Sequence, residues 1–210
     1  MIEQASRMVD AFVDLRSPYS YLALRPARLL ASRAGAEFDW WPTITDFRSA
    51  YGGEVEQRSA RDVAKLKYLY MDCRRLAKRQ GLTIRATTKL WDAGLASQAF
   101  LFAKSRNRLW EFVDPMLAAF WRREFDLESP DALETALEQA GLDPEDWRGY
   151  RCSEASRELE HAQERAKELG IFGAPSFVHR GELFWGGDRL HLLSDALDAE
   201  ALSTPSSPTA

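Results

Sequence analysis

Cysteine and histidine are scarce in this 210-residue chain, with two of the first and three of the second. Cys73 and Cys152 stand far apart in helix-patterned segments and in no metal or redox spacing. Two free thiols are therefore expected rather than a disulfide. His161, His179 and His191 show no ligand spacing with one another or with a cysteine, so no metal site is expected. Long apolar runs are missing too. No segment approaches a membrane span, and residues 1–7 have neither the basic start nor the apolar run of a secretory signal, which makes the cytoplasm the expected location. An excess of positive charge is also absent. Lys and Arg number 28 against 32 Asp and Glu, a net charge of −4, and no basic stripe stands out, which argues against nucleic acid as a partner.

What remains is an ordinary globular composition, 45% apolar and 29% charged. Its length suffices for one domain, or for one domain carrying a large insertion. Residues 8–15 read as a buried strand. Residues 18–34 carry apolar side chains at helical spacing and stop at Gly35, and Phe38-Asp39-Trp40-Trp41 before Pro42 reads as a second strand. This opening is a β-α-β unit of right-handed crossover. Residues 43–60 are less regular, with a flexible turn at Gly52-Gly53. The period is then helical: 61–80 up to Gly81, 88–106, 107–124, 130–140 up to Gly141, a short helix at 144–149, and 153–169 up to Gly170. Ser129-Pro130 and Asp143-Pro144 each pair a cap with a proline, a helix start. Strands return at 175–179 and 182–185 as a hairpin about Arg180-Gly181, followed by a helix over 189–199 and a tail, 200–210, expected to be disordered. The pattern predicts an α/β, thioredoxin-like fold with a large all-helical insertion. Residues 8–60 and 153–199 form the thioredoxin-like domain and 61–152 the insertion.

Three segments carry chemistry. Ser17-Pro18-Tyr19-Ser20 joins the first strand to the first helix, with Ser17 as N-cap and Pro18 as first helical residue. A helix N-terminus offers unpaired N–H donors and partial positive charge, which favour an anion or a thiolate. Thioredoxin-like proteins place Cys-x-x-Cys at this turn; here Ser17 and Ser20 stand there, so the thiol is expected from a ligand. Pro175, in Gly170-Ile171-Phe172-Gly173-Ala174-Pro175-Ser176-Phe177, is expected to be cis and to face that turn. That would leave the N–H and C=O of Ala174 to pair with an extended peptide, and a tripeptide thiol fits. In Trp185-Gly186-Gly187-Asp188-Arg189-Leu190 the glycines allow close backbone approach. Asp188 there is read as the N-cap of the last helix, open also to a ligand ammonium.

Together with Ser17-Pro18-Tyr19-Ser20-Tyr21-Leu22, these segments resemble the 2-hydroxychromene-2-carboxylate isomerases. Those enzymes are similar to kappa-class glutathione transferases and, more distantly, to DsbA-type oxidoreductases. Lys67-Tyr68, Asp72, Arg75 and Gly81 follow the same family's first insertion helix. The resemblance implies a glutathione-dependent isomerase acting on an aromatic-derived ketoacid by reversible addition of the glutathione thiolate. It implies that Ser17 hydrogen-bonds the glutathione sulfur, that Ala174 beside Pro175 pairs with the tripeptide backbone, and that Gly187 and Asp188 hold its γ-glutamyl end. A homodimer is implied as well. Where the family has a Lys and then an Asn after the second strand, this chain has Ala50 and Glu54, with Arg48 as a replacement for the lysine. Arg16 stands where a small or apolar residue is usual, and Thr83-Ile84-Arg85 lacks a proline. Tyr19, Tyr21, Phe47, Trp91 and Trp185 are candidate walls of an apolar substrate pocket, Tyr19 and Trp91 foremost. The other readings are a transferase that releases the glutathione conjugate, disulfide exchange, and a scaffold that binds a peptide or partner without catalysis.

Overall fold

The computed structural model describes residues 7–47 and 58–203. Strand β1 (Met8–Val13), helix α1 (Pro18–Ala34) and strand β2 (Glu37–Pro42) form the β-α-β opening, with β1 and β2 parallel and Met8 opposite Glu37. Strands β3 (Ser176–His179) and β4 (Glu182–Trp185) complete a sheet of order β2-β1-β3-β4, in which β3 runs antiparallel to both neighbours. Arg180 and Gly181 both have positive φ, 52° and 82°, the handedness that a two-residue hairpin needs. As one of the two interior strands, β1 buries Val9, Ala11, Phe12 and Val13 almost completely.

Between β2 and β3 lie α2 (Ala60–Gln80), α3 (Gly94–Ser105), α4 (Leu109–Trp121), α5 (Pro130–Gln139), α6 (Pro144–Ser153) and α7 (Ala155–Glu168). A short 3-10 turn, Gly187–Arg189, leads into α8 (Leu190–Ser203). Ser59 and Asp62 close a capping box on α2, while Ser129 and Asp143 cap α5 and α6 through backbone N–H groups. The helix expected over 88–106 starts only at Gly94, because the Asp92 carboxylate accepts the Gly94 N–H and turns the chain there. The helix expected over 107–124 is trimmed at both ends by left-handed residues, Asn107 (φ 55°) and Arg123 (φ 65°). The helix at 144 runs on to Ser153, past the short span expected, since Trp147 and Tyr150 pack into the core from it. One hydrophobic core joins β1 and α1 to the insertion, with Tyr21 of α1 stacked on Trp121 of α4 at 6.3 Å.

Pro26 lies in the interior of α1, where it removes the N–H that would bond the Leu22 carbonyl one turn back. Gln80, the last residue of α2, supplies the missing donor: its Nε2 reaches the Leu22 oxygen at 3.0 Å. Gln80→Leu should therefore leave that carbonyl unsatisfied and cost about 1–3 kcal/mol in urea unfolding. Adding Pro26→Ala, which restores the backbone donor, should recover most of the loss; a double variant as weak as the single one would contradict this account.

Candidate active site

The turn from β1 into α1 is organised by a carboxylate. Asp14 is wholly buried and accepts four hydrogen bonds: the N–H groups of Arg16 (2.9 Å) and Thr45 (2.8 Å), and Nε (3.0 Å) and Nη2 (2.8 Å) of Arg16. Its backbone carbonyl accepts the Ser17 N–H at 2.9 Å, and its N–H donates to the Ser20 hydroxyl at 3.2 Å. The Arg16 guanidinium, also nearly buried, donates further to the carbonyls of Thr45 (2.9 Å) and Trp91 (3.2 Å) and lies 4.8 Å from the Phe47 ring centre. Arg16 is thus a clasp between the turn and the loop before α3.

Ser17 is 3% exposed. Its Oγ accepts the Ser20 N–H at 3.2 Å as the N-cap of α1 and donates to the Ala174 carbonyl at 3.2 Å. The Ala174–Pro175 peptide bond is cis. The Ala174 carbonyl was expected to be left for a ligand, but it already receives the Ser17 proton, because the two loops meet within hydrogen-bond reach. Ser17 is therefore both cap and bridge, and its one O–H can turn to a ligand only by leaving Ala174.

Two cavities meet at this bridge. The first, about 560 Å³, runs between α1 and the 186–189 turn and is lined by Tyr19, Ala23, Asp72, Ala174, Pro175, Gly187, Asp188 and Arg189 among others. The second, about 390 Å³, is lined by Arg16, Ser17, Tyr19, Thr45, Phe47, Arg58, Trp91, Phe172, Ala174 and Trp185 among others. Tyr19, Ala174 and Trp185 are shared walls. Gly187 lets its turn rest on α1, for a Cβ there would lie 3.1 Å from that of Ala23. A Cβ on Gly173 would meet the Trp185 Nε1 at 2.7 Å, so glycine is what lets the indole close over the bridge. Trp185 in turn meets Phe172 edge-on at 4.9 Å, with both rings more than half exposed at the rim.

The Tyr19 hydroxyl donates to Asp72 Oδ2 at 2.9 Å. Burial, and then that hydrogen bond, push the phenol far above its ordinary range, so it stays protonated. Cys73, next along α2, has its thiol pushed up to about 12 by burial, which leaves it a poor nucleophile. Cys152 is exposed, and both cysteines are free.

Ser17, Tyr19, Trp91, Ala174, Pro175, Gly187 and Asp188 are thus gathered on the two cavities, whereas Arg48 lies outside the described residues, as do Ala50 and Glu54. Besides the Ala174 carbonyl, two sequence readings need correction. Asp188 makes no capping bond: a 3-10 turn intervenes before α8, and its exposed carboxylate pairs with Arg189. Tyr21 lines neither cavity, because its position on α1 turns it into the core against Trp121. Asp14, Arg58, Tyr70 and Thr87 were not foreseen. Only Asp14 left a signal, a charge closing an apolar strand two residues before an arginine.

Residues 8–198 match the sequence model for the DSBA-like thioredoxin domain. The 2-hydroxychromene-2-carboxylate isomerase of Sphingobium xenophagum is 28% identical over 195 residues, covering 91% of this chain and 98% of that protein. The protein of the same name from Pseudomonas putida is also 28% identical over 195 residues, covering 90% and 94%. Among solved structures, a 2-hydroxychromene-2-carboxylate isomerase superposes with a TM-score of 0.77 at 24% identity, over 95% of this chain and 100% of the other. A probable DsbA oxidoreductase from Streptomyces coelicolor superposes at 0.68 and 22% identity, over 97% and 93%. At these identities the structural likeness speaks to the fold.

Proposed function

From the premise that the chain belongs to the DSBA-like thioredoxin-domain family, we propose that it is a glutathione-dependent isomerase of the 2-hydroxychromene-2-carboxylate type. The observation that carries this reading is Ser17: a hydroxyl at a helix N-terminus, where two cavities meet, in the place where thioredoxin-like proteins keep a cysteine. Three relatives at 27–28% identity carry that isomerase's name. The first cavity suits glutathione, because the Ala174-Pro175 backbone lies along it and carboxylates and a guanidinium (Asp72, Asp188, Arg189) border it for a zwitterionic tripeptide. Ser17, Ala174, Pro175, Gly187 and Asp188 would hold it. The chemistry glutathione supplies when bound is a thiolate that adds reversibly to a conjugated carbon of the substrate.

The chain's own residues then have clear tasks. The Ser17 hydroxyl turns from the Ala174 carbonyl to stabilise negative charge at the α1 N-terminus, where the helix dipole adds to its effect. Tyr19, neutral and held by Asp72, walls both cavities without placing a second negative charge beside the first. Trp91 and Phe172 offer the second cavity an aromatic surface for the substrate, and Trp185 closes the rim against water. Disulfide exchange lacks support, since Cys73 is buried far from any helix start. No helix of the described residues is long and apolar enough to cross a membrane; a reducing cytoplasm, rich in glutathione, is the compartment that suits this chemistry and two unpaired cysteines.

Calorimetric titration should show saturable glutathione binding at or below millimolar concentration. Free thiol should stay constant while 2-hydroxychromene-2-carboxylate is converted over many turnovers. Loss of one thiol per turnover would make the protein a transferase, and no saturable binding would end the glutathione reading.

A further inference from the structure

Helix α2 gathers charge that the whole-chain count averages away. Its 21 residues hold seven Lys and Arg against two Asp, a balance of +5 in a chain of −4, which leaves −9 for the other residues. Both acids are engaged, Asp62 in the Ser59 capping box and Asp72 with the Tyr19 hydroxyl. At about 3.6 residues per turn, Leu69, Tyr70, Cys73 and Ala77 share one side and pack inward. The opposite side carries Lys67, Tyr68, Met71, Arg74, Arg75 and Lys78, all exposed. None of these four cations has an ion-pair partner among the described residues. Tyr68 is 57% exposed and Met71 41%, and both stand among the cations rather than in the core.

Whatever covers this face must accept a row of cations together with an aromatic and a thioether side chain. Nucleic acid offers phosphates, but the face has none of the Asn, Gln, Ser or Thr side chains that read base edges, and Tyr68 and Met71 would gain nothing against a sugar-phosphate backbone. An anionic bilayer surface supplies both halves. Its head groups attract Lys and Arg, whose apolar stems reach along the interface, and a shallow apolar layer lies just beneath for tyrosine and methionine. The −9 of the remaining residues sets the orientation, since the same field repels them.

We propose that α2 docks the protein on anionic lipid surfaces, lying among the head groups without spanning the bilayer. The helix then separates the lipid from both cavities, because Leu66 and Leu69 wall the second and Asp72, Leu76 and Gln80 the first. Apolar compounds dissolved in the lipid would be concentrated about one helix diameter, ~10 Å, from the site. This docking goes beyond the isomerase reading and does not rest on it.

The test is co-sedimentation of the full chain with vesicles of phosphatidylcholine alone, and with vesicles in which one lipid in four is phosphatidylglycerol. Wild type should bind the mixed vesicles and not the neutral ones, and binding should fall steeply as salt rises from about 0.05 to 0.3 M. The triple variant Lys67→Gln, Arg75→Gln, Lys78→Gln should bind about a hundredfold more weakly. Tyr68→Ser keeps every charge and should still weaken binding severalfold, which charge attraction alone would not do. A control triple variant, Arg151→Gln, Arg157→Gln, Lys167→Gln, removes exposed cations from α6 and α7 and should bind as wild type. The proposal is overturned if wild type does not bind the mixed vesicles, if the α2 triple variant or Tyr68→Ser binds as tightly as wild type, or if the control is as weak as the α2 variant. Tighter binding to a DNA duplex than to vesicles, lost in the α2 triple variant, would assign the face to nucleic acid instead. A wild-type dimer that ignores vesicles and that the α2 triple variant splits, by sedimentation velocity, would assign it to a second copy; either result overturns lipid docking. No arm involves glutathione, so failure here leaves the isomerase reading standing.

Discussion

Ser17→Ala should lower kcat by about a hundredfold or more while leaving the KM for the aromatic substrate nearly unchanged. The hydroxyl carries one proton, and in the structure it lies on the Ala174 carbonyl at 3.2 Å. A sulfur anion at the α1 N-terminus is the stronger acceptor, since hydrogen bonds to ions are about twice as strong as neutral ones. Deleting the donor should move thiolate formation to higher pH, which the ultraviolet absorbance of protein-bound glutathione reports directly. The substitution also removes an N-cap worth about 1 kcal/mol, so urea unfolding must be run alongside. Ser17→Thr, which keeps the hydroxyl, separates the two effects and should retain stability and part of the rate. An unchanged kcat in Ser17→Ala would remove this hydroxyl from the mechanism.

The second large effect belongs to Arg16. Arg16→Met should destabilise the protein by about 3–5 kcal/mol, because it leaves the wholly buried Asp14 carboxylate without its counter-ion. Two backbone N–H groups, from residues 16 and 45, would remain on that carboxylate and cannot neutralise it. Adding Asp14→Asn removes the stranded charge, and the double variant should regain much of the loss in urea unfolding. A single variant that loses less than about 1 kcal/mol, or a double variant no better than the single one, would show that the pair does not organise the turn.

The parts legible in the sequence are those set by short-range rules. Ser17-Pro18, Ser129-Pro130 and Asp143-Pro144 announce helix starts through cap and proline chemistry, and Arg180-Gly181 announces a hairpin. The Ser17, Pro175 and Gly187 segments, whose order and spacing carry the family resemblance, border two adjoining cavities, Ser17 on one and Pro175 and Gly187 on the other. What escaped depends on separation in sequence or on competition between local geometries. No periodicity links Gln80 to Pro26, yet one supplies the hydrogen bond that the other removes. Arg16 looked like a departure because its partners, the carbonyls of Thr45 and Trp91, are backbone atoms that leave no mark in a side-chain pattern. Asp188 has the residue type of an N-cap, but Gly186, at φ 99°, swings the chain into a 3-10 turn before the helix begins. Tyr21 and Tyr19 are two residues apart on one helix, far enough around its circumference that one enters the core and the other faces the cavities.

The Arg16 clasp grips main-chain oxygens rather than side chains, and this bears on how the protein can diverge. Replacing the side chain of Trp91 or Thr45 reshapes the second cavity but leaves both carbonyls where the guanidinium needs them. Substrate range can therefore drift through such replacements while the turn bearing Ser17 stands still. Insertions or deletions in the same loops would displace the oxygens themselves and loosen the turn. Descendants of this chain should accordingly vary in the identity of those wall residues far more freely than in the spacing between them.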